Sequence, residues 1–248
     1  MPDQTVIEFD RDGDPETGLQ PWDPIDPDII ISGSPVQRGH TCFSTDRDRL
    51  SAGVWDCTPY EEARRPYQVD EFMILLEGSL DIENEEGLLQ TFRAGQGFFI
   101  PKGAVMSWKQ SEYLRKFWVI HDNPGSPPAA PGLSPQAVNP DEPLEPVTGL
   151  DPSAFESDIP KMRLHSCYRD PGARFQVGVW DCGPMKRVAT TIERSELMHI
   201  LEASGSITNA DGVVFEFSAG DTFLVPIGMG YQWQNREYVK KLFCSYTP

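Results

Sequence analysis

One pentapeptide occurs twice: Gly53-Val-Trp-Asp-Cys57 returns as Gly178-Val-Trp-Asp-Cys182, 125 residues later. Many other residues coincide at that single offset, among them His40/His165, Cys42/Cys167, Pro59/Pro184, Glu71/Glu196, Gly95/Gly220, Pro101/Pro226, Trp108/Trp233 and Lys116/Lys241. No gap is needed between Pro35 and Lys116. Loop lengths are therefore matched along with residues, which marks the tandem duplication of a whole domain. Whatever one copy folds into, the chain contains it twice.

In the first copy, short apolar runs at 53–57, 72–76, 80–82, 88–92, 98–100, 105–108 and 114–120 are separated by turn signals. Asn84-Glu-Glu-Gly87 and its counterpart Asn209-Ala-Asp-Gly212 have the composition of hairpin turns. With 23 prolines and 21 glycines in 248 residues, many short strands are favoured over long helices. The pattern predicts an all-β chain with a sandwich or small barrel per copy. Residues 1–30 read as an arm without regular structure, docked by Trp22, and 29–31 as an edge strand available to a partner's sheet. The first domain is placed at 31–121 and the second at 153–248. Between them, the proline density of 122–152 predicts an extended connector.

The net charge of −17 argues against nucleic acid and anionic membrane surfaces as partners. No apolar run approaches the ~18 residues of a membrane helix. The start of the chain has neither a basic region nor an apolar signal core, so a cytoplasmic location is expected. Five cysteines without a Cys-x-x-Cys are too few for a disulfide scaffold. The repeated pairs Cys42/Cys167 and Cys57/Cys182 are expected to be small core fillers.

Glu71, six residues, then Gly78 resembles the end of the first cupin motif. Gly95, five residues, Pro101, then Gly103 and Met106 resembles the second. Together with Gly-Val-Trp-Asp-Cys, Leu-Glu-Gly and Arg115-Lys116-Phe117, the pattern is similar to the cupin subfamily that includes ureidoglycine aminohydrolase and ethanolamine-utilisation cupins. The resemblance covers about 35–121 and 160–246. It implies two tandem jelly-roll (double-stranded β-helix) barrels, a bicupin. In that family three histidines and a glutamate usually hold a metal inside the barrel. Here the glutamate places are Glu71 and Glu196. The histidine places fall on 64–67 and Met106 in the first copy, and on 189–192 and Tyr231 in the second. Each copy keeps the carboxylate and lacks every histidine, so neither metal nor cofactor is expected. Of the four histidines, strand alternation turns His199 away from Glu196. His40 and His165 are expected to pack, and His121 sits at a strand end with nothing around it that suggests a role.

The same alternation predicts what lines each lumen. The first copy offers Arg65, Tyr67, Glu71, Met73, Met106, Trp108 and Lys116; the second offers Glu196, Met198, Tyr231, Trp233 and Lys241. A buried carboxylate needs a partner. Arg64 or Arg65 is expected to serve Glu71, whereas Glu196, whose copy has Arg194 but no twin of Arg65, is expected to be protonated or solvated. Either repeated lysine is a further means of neutralisation. Trp55-Asp56 and Trp180-Asp181 are expected to pack and turn. The second barrel has Ala203 where the first has Gly78 and fewer polar groups in these motifs, so it is expected to be filled by side chains. The leading functional expectation is a metal-free bicupin that binds a small polar metabolite in the first barrel near Glu71. Two alternatives stand beside it. One is an enzyme like ureidoglycine aminohydrolase acting on a small nitrogenous or carboxylate metabolite, with Glu71 and Tyr67 as acid/base candidates. The other is a structural module with filled barrels, dimerising through N-terminal strand exchange as cupins commonly do. A homodimer is the expected assembly.

Overall fold

Each apolar run of the first copy is part of a strand in the computed structural model, which describes residues 5–125, 127–128 and 132–248. Apart from two 3₁₀ turns, Pro27–Ile29 and Pro152–Ala154, no helix occurs among the described residues. Accordingly, none of those residues forms a helix long and apolar enough to cross a membrane. The chain divides into two units. One comprises Phe9–Val138 with Asp170–Ala173, and the other Met1–Glu8, Asn139–Arg169 and Arg174–Pro248.

In the first unit a seven-stranded sheet runs in the order Gln136–Val138, Gly97–Ile100, Asp70–Glu77, Leu114–His121, Leu50–Cys57, Gln37–Thr45, Gln20–Pro21. A second sheet runs Leu89–Arg93, Ser79–Asn84, Val105–Gln110, Tyr60–Glu62, Ile30–Gly33. Every pairing is antiparallel. The two inner faces enclose a core that includes Trp55, Met73, Leu75, Phe98, Met106 and Trp108. The second unit repeats the plan with Ser195–Glu202 and Val239–Tyr246 at the centre of its larger sheet. Its core includes Met198, Ile200, Phe217, Phe223 and Trp233. Two jelly-roll barrels from one duplicated domain account for the whole pattern.

The repeated glycine of the pentapeptide has a packing cause. A Cβ on Gly53 would lie 2.1 Å from the His40 carbonyl oxygen, and one on Gly178 2.3 Å from that of His165. Each sits opposite a β-bulge, between Thr41 and Phe43 or Ser166 and Tyr168, where the neighbouring strand crowds the backbone. The predicted turns also form. Asn84 and Asn209 accept two backbone N–H groups each through Oδ1, and Gly87 and Gly212 both adopt φ of +80°.

The arm and the connector are more regular than their composition suggested. Ile7–Glu8 pairs with Thr222–Val225, and Gln20–Pro21 pairs with Gln37–Thr45. Ile30–Gly33 pairs with Tyr60–Glu62 of the same chain and forms the edge of that sheet, so it joins its own chain's sheet. The connector supplies Gln136–Val138 to one unit and Glu145–Pro146 to the other. The edge strand expected at 29–31 forms as Ile30–Gly33; the other pieces have two or three residues each at sheet edges, too short to register as strands in a sequence. Trp22 does dock the arm, edge-on to Trp118 at 6.0 Å.

Ala203 occupies the left-handed region at φ +65°, where its repeat mate Gly78 lies at +78°. Left-handed backbone costs an alanine about 1–2 kcal/mol, against roughly 0.5–1 kcal/mol of extra chain entropy lost by glycine. Ala203→Gly is therefore expected to stabilise the second unit by about 0.5 kcal/mol, read as a raised midpoint in urea unfolding. A lowered midpoint would mean that the alanine methyl packs usefully.

Candidate functional site

Each barrel closes around one lysine. In the first, Asp70–Glu77 and Leu114–His121 are paired strands; Lys116 lies opposite Leu75, on the same face as Glu71, and its long side chain reaches along the sheet to that carboxylate. The Lys116 ammonium donates to Glu71 Oε1 at 2.8 Å and to Met73 Sδ at 3.0 Å. It also lies 4.9 Å from the ring centroids of both Trp55 and Trp108, so its remaining faces meet π-density instead of water. Tyr67 donates its hydroxyl to the other Glu71 oxygen. Burial, and then the charge of Glu71, push the Tyr67 phenol well above its ordinary range, which keeps it a donor. Around this pair lies a cavity of about 280 Å³, lined by Trp22, Ile25, Ile29, Gln37, Trp55, Tyr60, Glu62, Arg65, Tyr67, Glu71, Trp108, Lys116, Trp118 and Ile120.

The second barrel repeats the centre and changes the surroundings. Lys241 donates to Glu196 Oε1 at 2.7 Å and to Met198 Sδ at 3.1 Å, between Trp180 at 4.7 Å and Trp233 at 5.1 Å. Where Tyr67 serves Glu71, here Arg194 Nε donates to Glu196 Oε2 at 2.5 Å. Burial alone would push the Glu196 carboxyl up. The charges of Lys241 and Arg194, with their hydrogen bonds, outweigh it and hold the group down at about 2. Burial also lowers Lys241, against the pull of Glu196. The cavity here is larger, about 350 Å³, and Arg187, Arg194, Glu196, Tyr231, Trp233 and Lys241 are on its wall.

Several sequence expectations change. Arg64 pairs with Glu83 and Arg65 with Glu62, so neither reaches Glu71; the lysine does instead. Glu196 is ionised and doubly paired, neither protonated nor solvated. The second barrel is not filled, because Arg187, Arg194 and Gln176 reach its cavity from outside the motifs. Met73, Met106 and Met198 lie in the cores and off the cavity walls, the flexible thioethers of Met73 and Met198 against the lysines. Arg65, Tyr67, Glu71, Trp108 and Lys116 do converge on one cavity, and Glu196, Tyr231, Trp233 and Lys241 on the other. Trp55 and Trp180 are lumen walls, and their aspartates face the opposite way. Asp56 accepts from Arg38 at 2.6 Å and Tyr113 at 2.6 Å, and Asp181 from Arg163 at 2.6 Å and Tyr238 at 2.9 Å. These are strand-end ion pairs and not turns.

His199 bonds Thr222 Oγ1 at 2.8 Å and is off the cavity wall, as alternation implied. His121 is not isolated. It is buried with Asp70 and Asp170, their donor atoms all within 4.8 Å of one another. Asp70 Oδ1 accepts the Lys102 backbone N–H at 3.0 Å, and Asp170 Oδ2 that of Gly172 at 3.2 Å. The five cysteines are free thiols; burial pushes Cys57 and Cys182 up to about 12, consistent with packing and not reactivity.

The lumens do not suit the metal that the cupin motif would imply. Among the described residues no histidine lines either cavity, and both oxygens of each glutamate are engaged by a lysine and by Tyr67 or Arg194. A fixed ammonium takes the position of counter-charge to the carboxylate, with thioether and indole faces completing its shell.

A family model described as the EutQ-like cupin domain matches residues 45–118 and again 169–243. No curated protein matches. Among solved structures, a Pseudomonas syringae pv. tomato protein of unknown function from the DUF861 family is 22% identical. It covers 97% of this chain and 99% of its own, with a TM-score of 0.78. The Escherichia coli protein Ylba, also DUF861, is 12% identical over 96% of this chain and 92% of its own, with a TM-score of 0.55. A putative glyoxylate-induced protein from Pseudomonas aeruginosa is 14% identical, with 90% and 92% covered and a TM-score of 0.55. At these identities the similarity speaks for the fold.

Proposed function

The chain belongs to the EutQ-like cupin family with two copies of its domain, and from that premise we propose that it is a metal-free binding protein for a small polar metabolite held in the first barrel. The observation that carries this reading is the cavity beside the Glu71–Lys116 pair. Its wall combines four tryptophans and three isoleucines with Glu62, Arg65, Glu71 and Lys116. Broad apolar walls with a few convergent polar groups are the composition of a small-molecule site. Two carboxylates against two cations leave the lumen formally neutral, which favours an uncharged or zwitterionic ligand with an apolar body.

Four wall tryptophans make occupancy visible in intrinsic fluorescence. We expect a panel of neutral amino acids and small amides to contain members that shift tryptophan emission and raise the unfolding temperature. The same members should lose both effects in Glu71→Gln. A panel that leaves emission and melting of the wild-type chain unchanged would contradict the proposal.

A further inference from the structure

We infer that the second lumen is a separate site for an organic carboxylate, with Arg187 as its principal anchor. The two lumens differ where the repeat aligns them. Glu62 lines the first cavity, and the residue 125 positions on, Arg187, lines the second: a charge reversal at one wall position. Arg194 stands where the first copy has Val69. The second wall therefore carries Arg187, Arg194 and Lys241 against Glu196 alone, three cations to one carboxylate, or a formal +2. The first carries two of each.

Lys241 and one N–H of Arg194 are spent on Glu196, which leaves Arg187 as the wall cation with no carboxylate partner among the described residues. Its Nε is buried and has no hydrogen-bond partner among the described residues. Its backbone is fixed by donation to the Trp233 carbonyl at 2.9 Å, and its guanidinium lies 5.7 Å from the Phe155 ring centroid. A guanidinium N–H removed from water and left unbonded is costly, and a carboxylate offers the matching two-point acceptor. Trp180 and Trp233, with Met162 and Leu164, supply an apolar wall for the body of the acid. This inference does not depend on the first barrel holding a ligand.

Benzoate and its uncharged counterpart benzamide are suitable probes, titrated calorimetrically into the full chain at physiological salt. Benzoate is expected to bind one per chain, and benzamide at least about tenfold more weakly. Arg187→Glu, which copies the first barrel, should abolish benzoate binding, and the milder Arg187→Gln should weaken it about tenfold or more with the fold intact by circular dichroism. Glu71→Gln in the other barrel should leave it unchanged. Equal affinity for the two probes would overturn the assignment, as would undiminished benzoate binding in Arg187→Gln. Loss in Glu71→Gln but not in Arg187→Gln would move the site to the first barrel and overturn it too.

Discussion

Lys116→Met is expected to destabilise the first unit by about 3–5 kcal/mol, because it strands a buried carboxylate. Glu71 is 2% exposed, and without the lysine its one hydrogen-bonding side chain among the described residues is the Tyr67 phenol. Methionine matches the lysine stem in volume, so the loss is one of charge and not of packing. Two comparisons make the prediction specific. The double substitution Lys116→Met with Glu71→Gln removes both charges and keeps an acceptor for Tyr67. It should recover at least about 1 kcal/mol of the single-variant loss. Lys241→Met in the second unit should cost less than Lys116→Met, since Arg194 remains on Glu196. Urea unfolding followed by near-ultraviolet circular dichroism reads all three. Equal losses at the two lysines, or no recovery in the double variant, would show that the ammoniums act as spacers and not as counter-charges.

The second large effect is an acid limb in the stability of the second unit. Glu196 is held near 2 when folded, against 4.5 for an ordinary glutamate. A carboxyl depressed in the folded state contributes stability that is fully present above its unfolded value. That contribution drains away as pH falls from about 4.5 towards 2. A depression of this size corresponds to roughly 3 kcal/mol over the window. Glu196→Gln should be less stable at neutral pH, where Lys241 and Arg194 lose their shared partner. Its stability should then fall less steeply than wild type between pH 4.5 and 2. Parallel acid limbs in the two proteins would mean that other carboxylates govern this range.

The fold was legible because a duplication at one offset made every turn and apolar run appear twice. Of the short strands in the arm and connector only the one at 29–31 was legible, from its β-branched run; the others were not, because two or three residues carry no period. The centre of each site was legible in part: Glu71 and Lys116, with Glu196 and Lys241, share the offset and lie on neighbouring strands. Pairing across strands depends on register, and so the sequence alone left arginine and lysine both open as partners for Glu71. Arg187 escaped notice, and Arg194 was not taken as the partner of Glu196, because both lie outside the matching motifs, at positions where the copies differ. The signal that would have found Arg187 is that difference itself, Glu62 against Arg187 at one offset. The grouping of Asp70, His121 and Asp170 had no local signal, since its members are far apart in the chain and come together only by folding.

An ammonium meets each cupin glutamate directly, Lys116 on Glu71 and Lys241 on Glu196, as its counter-charge. Metal content after equilibration with manganese, ferrous iron, nickel or zinc and gel filtration tests this most directly, comparing wild type with Glu71→Gln and Glu196→Gln. The expected result is that neither substitution changes the metal carried by the chain. A stoichiometric ion in the wild-type protein that is lost on replacing Glu71 or Glu196 would contradict it.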